Sequence, residues 1–289
     1  MANGYKIVLD LGTKLEFDFC DYEFSKNIDP ETARPIDKIL GGMIHLGSID
    51  KPDDLIYKWA MKHAAHDGTI QVLRHDDNRG SYIVDEEIAF IEAACTSFKM
   101  KYERYGPSHF NTFISLSAKD IKVGKTLSIR KEWQLKAYDL KSSSAPVKLS
   151  LPGEQNDTAV NGTLFVGGEE YDIVSFQTEF QQFIDWKGEP EGEVKGGLLT
   201  FTINQAADQT LNHWMFDESI AYAGMITFGP KERVANNPVI INFADGRCVF
   251  YKKSIRNQLN GIHLTMVISA GLISINGNEH KNNPKYTSA

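Results

Sequence analysis

RPIDKILGGMIHLGSIDKPDDLIYKW, residues 34–59, is answered later in the chain by EPEGEVKGGLLTFTINQAADQTLNHW, residues 189–214. Pro35, Gly41, Gly42 and Trp59 each stand 155 positions before Pro190, Gly196, Gly197 and Trp214. Proline, paired glycine and tryptophan are uncommon, so four matches at one offset mark an internal repeat, which has to be found before other patterns are read. The match extends outward. Gly12, Glu23 and Phe24 stand 156 positions before Gly168, Glu179 and Phe180, and Gly68 and Ile70 stand 156 before Gly224 and Ile226. Ala93 aligns with Ala244 at 151, and Ser117, Ala118 and Ile121 align with Ser269, Ala270 and Ile273 at 152. The offset changes where Gly, Asn, Asp and Pro cluster, as loops accept insertions. The repeat unit is about 120 residues, one domain in size and far longer than a solenoid repeat.

Composition agrees with a pair of globular domains. The chain has 289 residues, 42% hydrophobic and 24% charged, with a net charge of −7. An acidic chain lacks the basic excess that binds a nucleic-acid backbone. The cluster Lys99-Met100-Lys101-Tyr102-Glu103-Arg104 interleaves basic and aromatic residues, but its alternation reads as a strand with one solvated face. Three cysteines, Cys20, Cys95 and Cys248, cannot close a disulfide set, which suits a reducing compartment. The first residues carry no apolar core of signal-peptide length, and no run is long enough to span a membrane, so neither a leader nor membrane insertion is expected.

Period-2 alternation dominates. Tyr5, Ile7, Leu9 and Leu11 form one apolar face, and Leu15, Phe17 and Phe19 form the next. Thr69–Leu73, Ser81–Asp85, Ile88–Lys101 and Phe110–Ala118 read as further strands. The second copy offers 162–166, 171–180, 197–203, 225–228, 239–243, 248–253 and 264–270. Strands at this spacing suggest a small barrel or sandwich. Each copy has one helical stretch. Asp53 and Asp54 cap Leu55 onward, with Leu55, Ile56, Trp59, Ala60 and Ala64 on one face; Thr210 caps the second, with Leu211, Trp214 and Met215 inward. Gly68 and Gly224 mark the ends. The expected division is a first barrel over 1–124, a linker or arm over 125–160 and a second barrel over 161–289. In the linker, Leu127–Tyr138 has the apolar content of an ordered arm, and the tail from Gly277 is polar and reads as flexible.

No catalytic constellation, phosphate loop or zinc-protease motif is present, so no enzyme, cofactor or metal is expected. His63 and His66, with His75 and Asp76 nearby, read as partners of a helix C-terminus rather than metal ligands, and the second copy lacks them. Glu86 and Glu87 are adjacent on a strand, point to opposite faces, and read as a loop-edge charge pair. Gly41-Gly42 and Gly196-Gly197 do not open a helix as a phosphate loop would; they read as tight packing points. Trp59 and Trp214 read as core residues pinning a helix to a barrel.

Each copy resembles the tube-forming protein of the type VI secretion system, the Hcp or TssD family. The first copy carries Phe19-Cys20-x-Tyr22-x-Phe24-Ser25, Arg34-Pro35, Gly41-Gly42, Asp54-Leu55…Trp59, Gly68-x-Ile70 and Phe113-x-Ser115-x-Ser117-Ala118…Ile121…Gly124. The second carries Phe176-x-x-x-Phe180, Gly188-x-Pro190, Gly196-Gly197, Leu211…Trp214, Gly224-x-Ile226 and Ile268-Ser269-Ala270…Ile273. The tail Gly277-Asn278-Glu279-His280-x-Asn282 is similar to the end of members from the third subtype of the apparatus. The resemblance implies a mainly β chain of two tandem six-stranded β-barrels, each with one short flanking α-helix, assembled edge to edge into rings that stack as a tube. It implies a non-enzymatic part of a contractile injection apparatus, made in the bacterial cytoplasm and secreted without a signal peptide. Its partners would be itself, as a pseudo-hexamer of three chains or a hexamer of six, other tube, spike or sheath proteins, and effector cargo in the lumen. Ordinary members are single domains, so the tandem leaves bulk tube and adaptor both open. A carrier or chaperone-like module, an effector fused to a tube domain, and an unrelated tandem barrel are the competing readings.

Overall fold

The structure, a computed structural model, describes residues 5–25, 40–62, 64–105, 108–125, 127–131, 160–217, 219–230, 238–256 and 261–282. Arg34, Pro35, His63 and the greater part of the expected linker, 132–159, lie outside the described residues. The first copy runs β1 (Tyr5–Asp10), β2 (Lys14–Phe17), β3 (Phe19–Ser25), β4 (Leu40–Ser48), α1 (Asp54–Met61), β5 (Ala65–Asp76), β6 (Ser81–Glu103), β7 (Phe110–Val123) and β8 (Leu127–Arg130). The second runs β9 (Val160–Val166), β10 (Glu169–Ile184), β11 (Pro190–Gly196), β12 (Leu199–Ile203), α2 (Gln209–Phe216), β13 (Tyr222–Pro230), β14 (Val239–Arg256), β15 (Gly261–Ile275) and β16 (Asn278–Lys281).

The chain is mainly β, and each copy closes into a six-stranded barrel. In the second, the antiparallel ladder passes β9, β10, β12, β15, β14, β13 and back to β9. In the first, the same circuit runs β1, β2 with β3, β4, β7, β6, β5 and back to β1. Asp18 divides β2 from β3 where the second copy has the single strand β10, and its N–H donates to Gly47 O at 2.8 Å across the break. Closure pairs most of the edges that antiparallel sheets otherwise expose, leaving only the halves of strands that outrun a neighbour.

Matching residues fill both interiors. Leu9, Leu46, Ile70, Ile88 and Leu116 are fully buried in the first barrel, as Leu164, Phe201, Ile226, Ile241 and Ile268 are in the second. Trp59 and Trp214 seal each barrel from its helix. Trp59 Nε1 donates to Ala93 O at 3.2 Å and Trp214 Nε1 to Gly246 O at 2.8 Å. The residue before each acceptor, Glu92 or Asp245, has φ near +50°, so each carbonyl is turned inward by a bulge. The structural counterpart of Ala93 is therefore Gly246, not Ala244 as the sequence match suggested.

The glycine pair owes its repetition to packing. Gly42 has φ +82° and Gly197 φ +79°; a Cβ there would strike Ile121 and Phe24, or Ile273 and Phe180. Only glycine accepts both the left-handed backbone and this approach.

Several boundaries differ from the sequence reading. Asp53 and Asp208 are the N-caps, accepting from Leu55 N–H at 2.8 Å and Leu211 N–H at 3.0 Å; Asp54 is already helical and Thr210 is not a cap. Gly68 and Gly224 do not end the helices. They sit inside β5 and β13, where a Cβ would meet Asp10 O or Phe165 O at 2.7 Å in the neighbouring strand. Ser81–Asp85 and Ile88–Lys101 are one strand, and so are 239–243 and 248–253. Leu127–Arg130, assigned to the linker, is β8 on β7. Phe19 does not continue the inward face of Phe17, because the break at Asp18 shifts the alternation and leaves it exposed. The polar tail turns back at Asn276-Gly277 and pairs as β16; Asn282 Nδ2 donates to Gly196 O at 2.7 Å.

Candidate assembly interface

The two barrels are joined along one strand edge. β5 accompanies β6 only as far as Ala94, and β9 accompanies β10 only as far as Ile173. The overhanging halves of β6 and β10 pair with each other, Ser97 to Glu103 against Gln181 to Ser175, antiparallel and without a register shift. The ladder satisfies backbone groups that would otherwise remain open on both strands. Opposite residues on the outer face are complementary: Lys99 Nζ lies 3.3 Å from Glu179 Oε2. The inner face is apolar and aromatic, with Phe98, Met100, Tyr102, Phe176 and Phe180 all buried. The ring of Tyr102 in the first barrel lies 4.5 Å from that of Phe228 in the second, and its hydroxyl donates to Val160 O at 2.8 Å. Gly162 leaves the room for it, since a Cβ there would come within 3.0 Å of both rings.

Two further contacts flank the ladder. The turn joining β10 to β11 reaches the first barrel, where Ser117 Oγ donates to Gly188 O at 2.6 Å and Lys131 Nζ donates to Ser117 Oγ at 3.2 Å. Burial at this contact pushes the Lys131 ammonium down to about 8, partly opposed by Asp185. On the other side, Asn276 Nδ2 in the β15–β16 turn donates to Asp54 Oδ1 of α1 at 2.8 Å. Strand, hairpin tip and helix start thus hold one barrel against the next.

The basic cluster Lys99–Arg104 belongs to this seam. Arg104 reaches Asn161 at 2.9 Å and Asp172 at 3.4 Å in the second barrel. The alternation holds, with Met100 and Tyr102 buried on one face while Lys99 and Lys101 are half-buried and Glu103 is exposed on the other, and it did not reveal that the strand edge is paired with a second barrel. His66 packs edge-on against Trp59, and burial, with Lys58 next, lowers its pKa. His75 pairs with Asp77 at 2.9 Å. No cluster of metal-ligating side chains occurs among the described residues. Glu86 and Glu87 lie within β6 rather than at a loop edge, where Glu86 accepts from Tyr22 and Glu87 from Gln71, each at 3.0 Å. What sequence reasoning missed was the overhang. Its signal was the length of the apolar run in β6, which outlasts any partner strand read for it within its own copy.

The fold is that of a duplicated structural β-barrel whose two copies share a strand edge. The family model for hemolysin coregulated protein Hcp (TssD) matches residues 4–134 and again 158–284, and the chain belongs to this family. It is a family of structural tube proteins of type VI secretion, secreted by that system, and not of enzymes. Among solved structures, Hcp1 from Flavobacterium johnsoniae is 26% identical over 42% of this chain and 99% of that one, with a TM-score of 0.38. No curated protein matches the chain. No helix among the described residues is long and apolar enough to cross a membrane.

Proposed function

We propose that three copies of this chain close a ring of six barrels, a pseudo-hexamer that forms or caps the inner tube of a type VI apparatus. The observation that carries this reading is the β6–β10 seam. It sets the two barrels side by side through strand edges, as neighbours within a ring, which favours three chains per ring over six chains in a stacked pair of rings. A heterologous edge contact repeated around an axis closes when its rotation divides the circle. The division into barrels over 1–124 and 161–289 is proposed with it, β8 being drawn from the connector into the first barrel. A ring of three chains has three-fold symmetry at the chain level and six-fold symmetry at the barrel level. By analogy with tail hubs, this suits a junction between a six-fold tube and a three-fold spike.

The test is native mass with averaged electron micrographs. Three chains of 32.4 kDa in a six-lobed ring are expected. Six chains in a ring of double thickness overturn the side-by-side reading. A second protein retained in the lumen turns the role toward an effector carrier.

A further inference from the structure

The internal seam uses one edge from each barrel, so duplication leaves the equivalent two edges at opposite ends of the chain. In the first barrel β3 corresponds to the seam half of β10, with Phe24 and Phe180 in matching positions opposite Gly41 and Gly196. β3 pairs with β4 on one side, and its other edge has no partner among the described residues. In the second barrel β14 corresponds to β6. β13 accompanies it only as far as Gly246, and the edge from Phe250 to Arg256 that faces away from β15 has no partner among the described residues.

The two overhangs share one shape. Cys95 Sγ donates to Ser97 O at 3.3 Å and Cys248 Sγ to Phe250 O at 3.2 Å, across the same register shift against β7 and β15. The strand beyond each bulge therefore emerges in the same phase. Side chains that match sealed seam positions are open here. Thr178 is 1% exposed, and its counterpart Tyr22 is 37% exposed. Phe98 is fully buried, and its counterpart Tyr251 is only half-buried.

We infer that β14 of one chain pairs with β3 of a second copy in the register of the internal seam, with Lys252 directly opposite Glu23. The register follows by transfer. Ser97 to Glu103 correspond to Phe250 to Arg256, and Ser175 to Gln181 correspond to Phe19 to Ser25. Lys99 opposite Glu179 becomes Lys252 opposite Glu23, so the cross-strand charge pair of the internal seam recurs at the external one. Lys101 opposite Gln177 becomes Ser254 opposite Asp21, a polar pair again. The main departure lies on the inner face, where Met100 opposite Thr178 becomes Lys253 opposite Tyr22. The occupant is a second copy of this chain because edge geometry and charge are complementary to the chain's own other end. This inference rests on the ring reading and adds its register.

Glu23 and Lys252 are both exposed, so reversing either leaves the barrels intact. Glu23→Lys or Lys252→Glu alone is expected to raise the concentration for half-assembly about tenfold or more, since like charges then face each other. The double reversal is expected to restore the parent value. A further variant, Glu23→Cys with Lys252→Cys, is expected to form disulfide-linked trimers on oxidation, because directly opposite strand residues bring Cβ atoms within about 5.5 Å. A parent that forms three-chain rings while the single reversals change nothing, or while the cysteine pair fails to link, overturns the register and leaves the ring standing. A parent that stays monomeric, with no cysteine link at high concentration, overturns both.

Discussion

Gly197 shows how much a single residue can carry. Its φ of +79° and the closeness of Ile273 and Phe180 are independent objections to a side chain. Gly197→Ala is expected to destabilise the second barrel by about 2–4 kcal/mol, combining backbone strain with overpacking. Gly168 separates the two terms. It has φ +86° with nothing within 4 Å of a Cβ, so Gly168→Ala should show only the strain, about 1 kcal/mol. Thermal unfolding of both variants measures the difference, and equal losses would remove packing from the explanation. The repeated glycine pair was legible because both copies keep it, each packed within its own barrel. Gly188 also has a left-handed backbone, φ +77°, but the side chains a Cβ there would meet, Ser117 and Lys131, belong to the other barrel, which no pattern within one copy announces.

Among the elements, β10 serves two barrels, and its centre is Thr178 in the seam. That hydroxyl is buried and has no hydrogen-bond partner among the described residues. A buried unpaired hydroxyl costs free energy that an apolar replacement returns. Thr178→Val is expected to raise stability by about 1 kcal/mol and to leave the proposed ring intact. A fall in melting temperature would mean that the hydroxyl is satisfied in solution. The same element explains why strand boundaries were only partly legible. Alternation placed β1, β5 and β7, and caps with helical periodicity placed both helices, because each has one wet face. It split β6 at Glu86-Glu87 and β14 near Gly246, where charge and glycine imitate a turn. In the structure these places are register shifts that a continuous strand absorbs. The seam was illegible for another reason: edge pairing is made by backbone groups and leaves the side-chain alternation of β6 unchanged.

At the scale of the whole molecule, three thiols in two barrels make stability depend on alkaline pH. Burial pushes Cys20 and Cys95 up to about 12 and Cys248 up to about 11, from an ordinary value of 9.0; Asp21 and Glu86 add to the rise at Cys20. The unfolded chain releases these protons near pH 9 while the folded chain keeps them. Their contribution is therefore complete below pH 9 and is lost as pH rises toward 12. Lys131, lowered from 10.5 to about 8, works the other way: the unfolded chain holds its proton longer, so stability rises with pH between those values. The expected melting temperature changes little near neutrality and falls beyond pH 9. Replacing Cys95 and Cys248 by alanine should flatten that fall, and an unchanged slope would place the alkaline loss elsewhere.

In the proposed ring, the joining of two barrels in one chain would also set the order in which a tube layer appears. A ring of separate barrels must collect six diffusing bodies, and its early fragments dissolve unless concentration is high. In a ring of three such chains every second junction would form within one chain, at an effective concentration of roughly millimolar that dilution cannot lower. A layer would then need three chains to meet rather than six barrels, and its onset would follow a lower power of protein concentration. Such a chain could complete a layer while single-barrel subunits are still scarce, and so provide the template on which a longer tube begins.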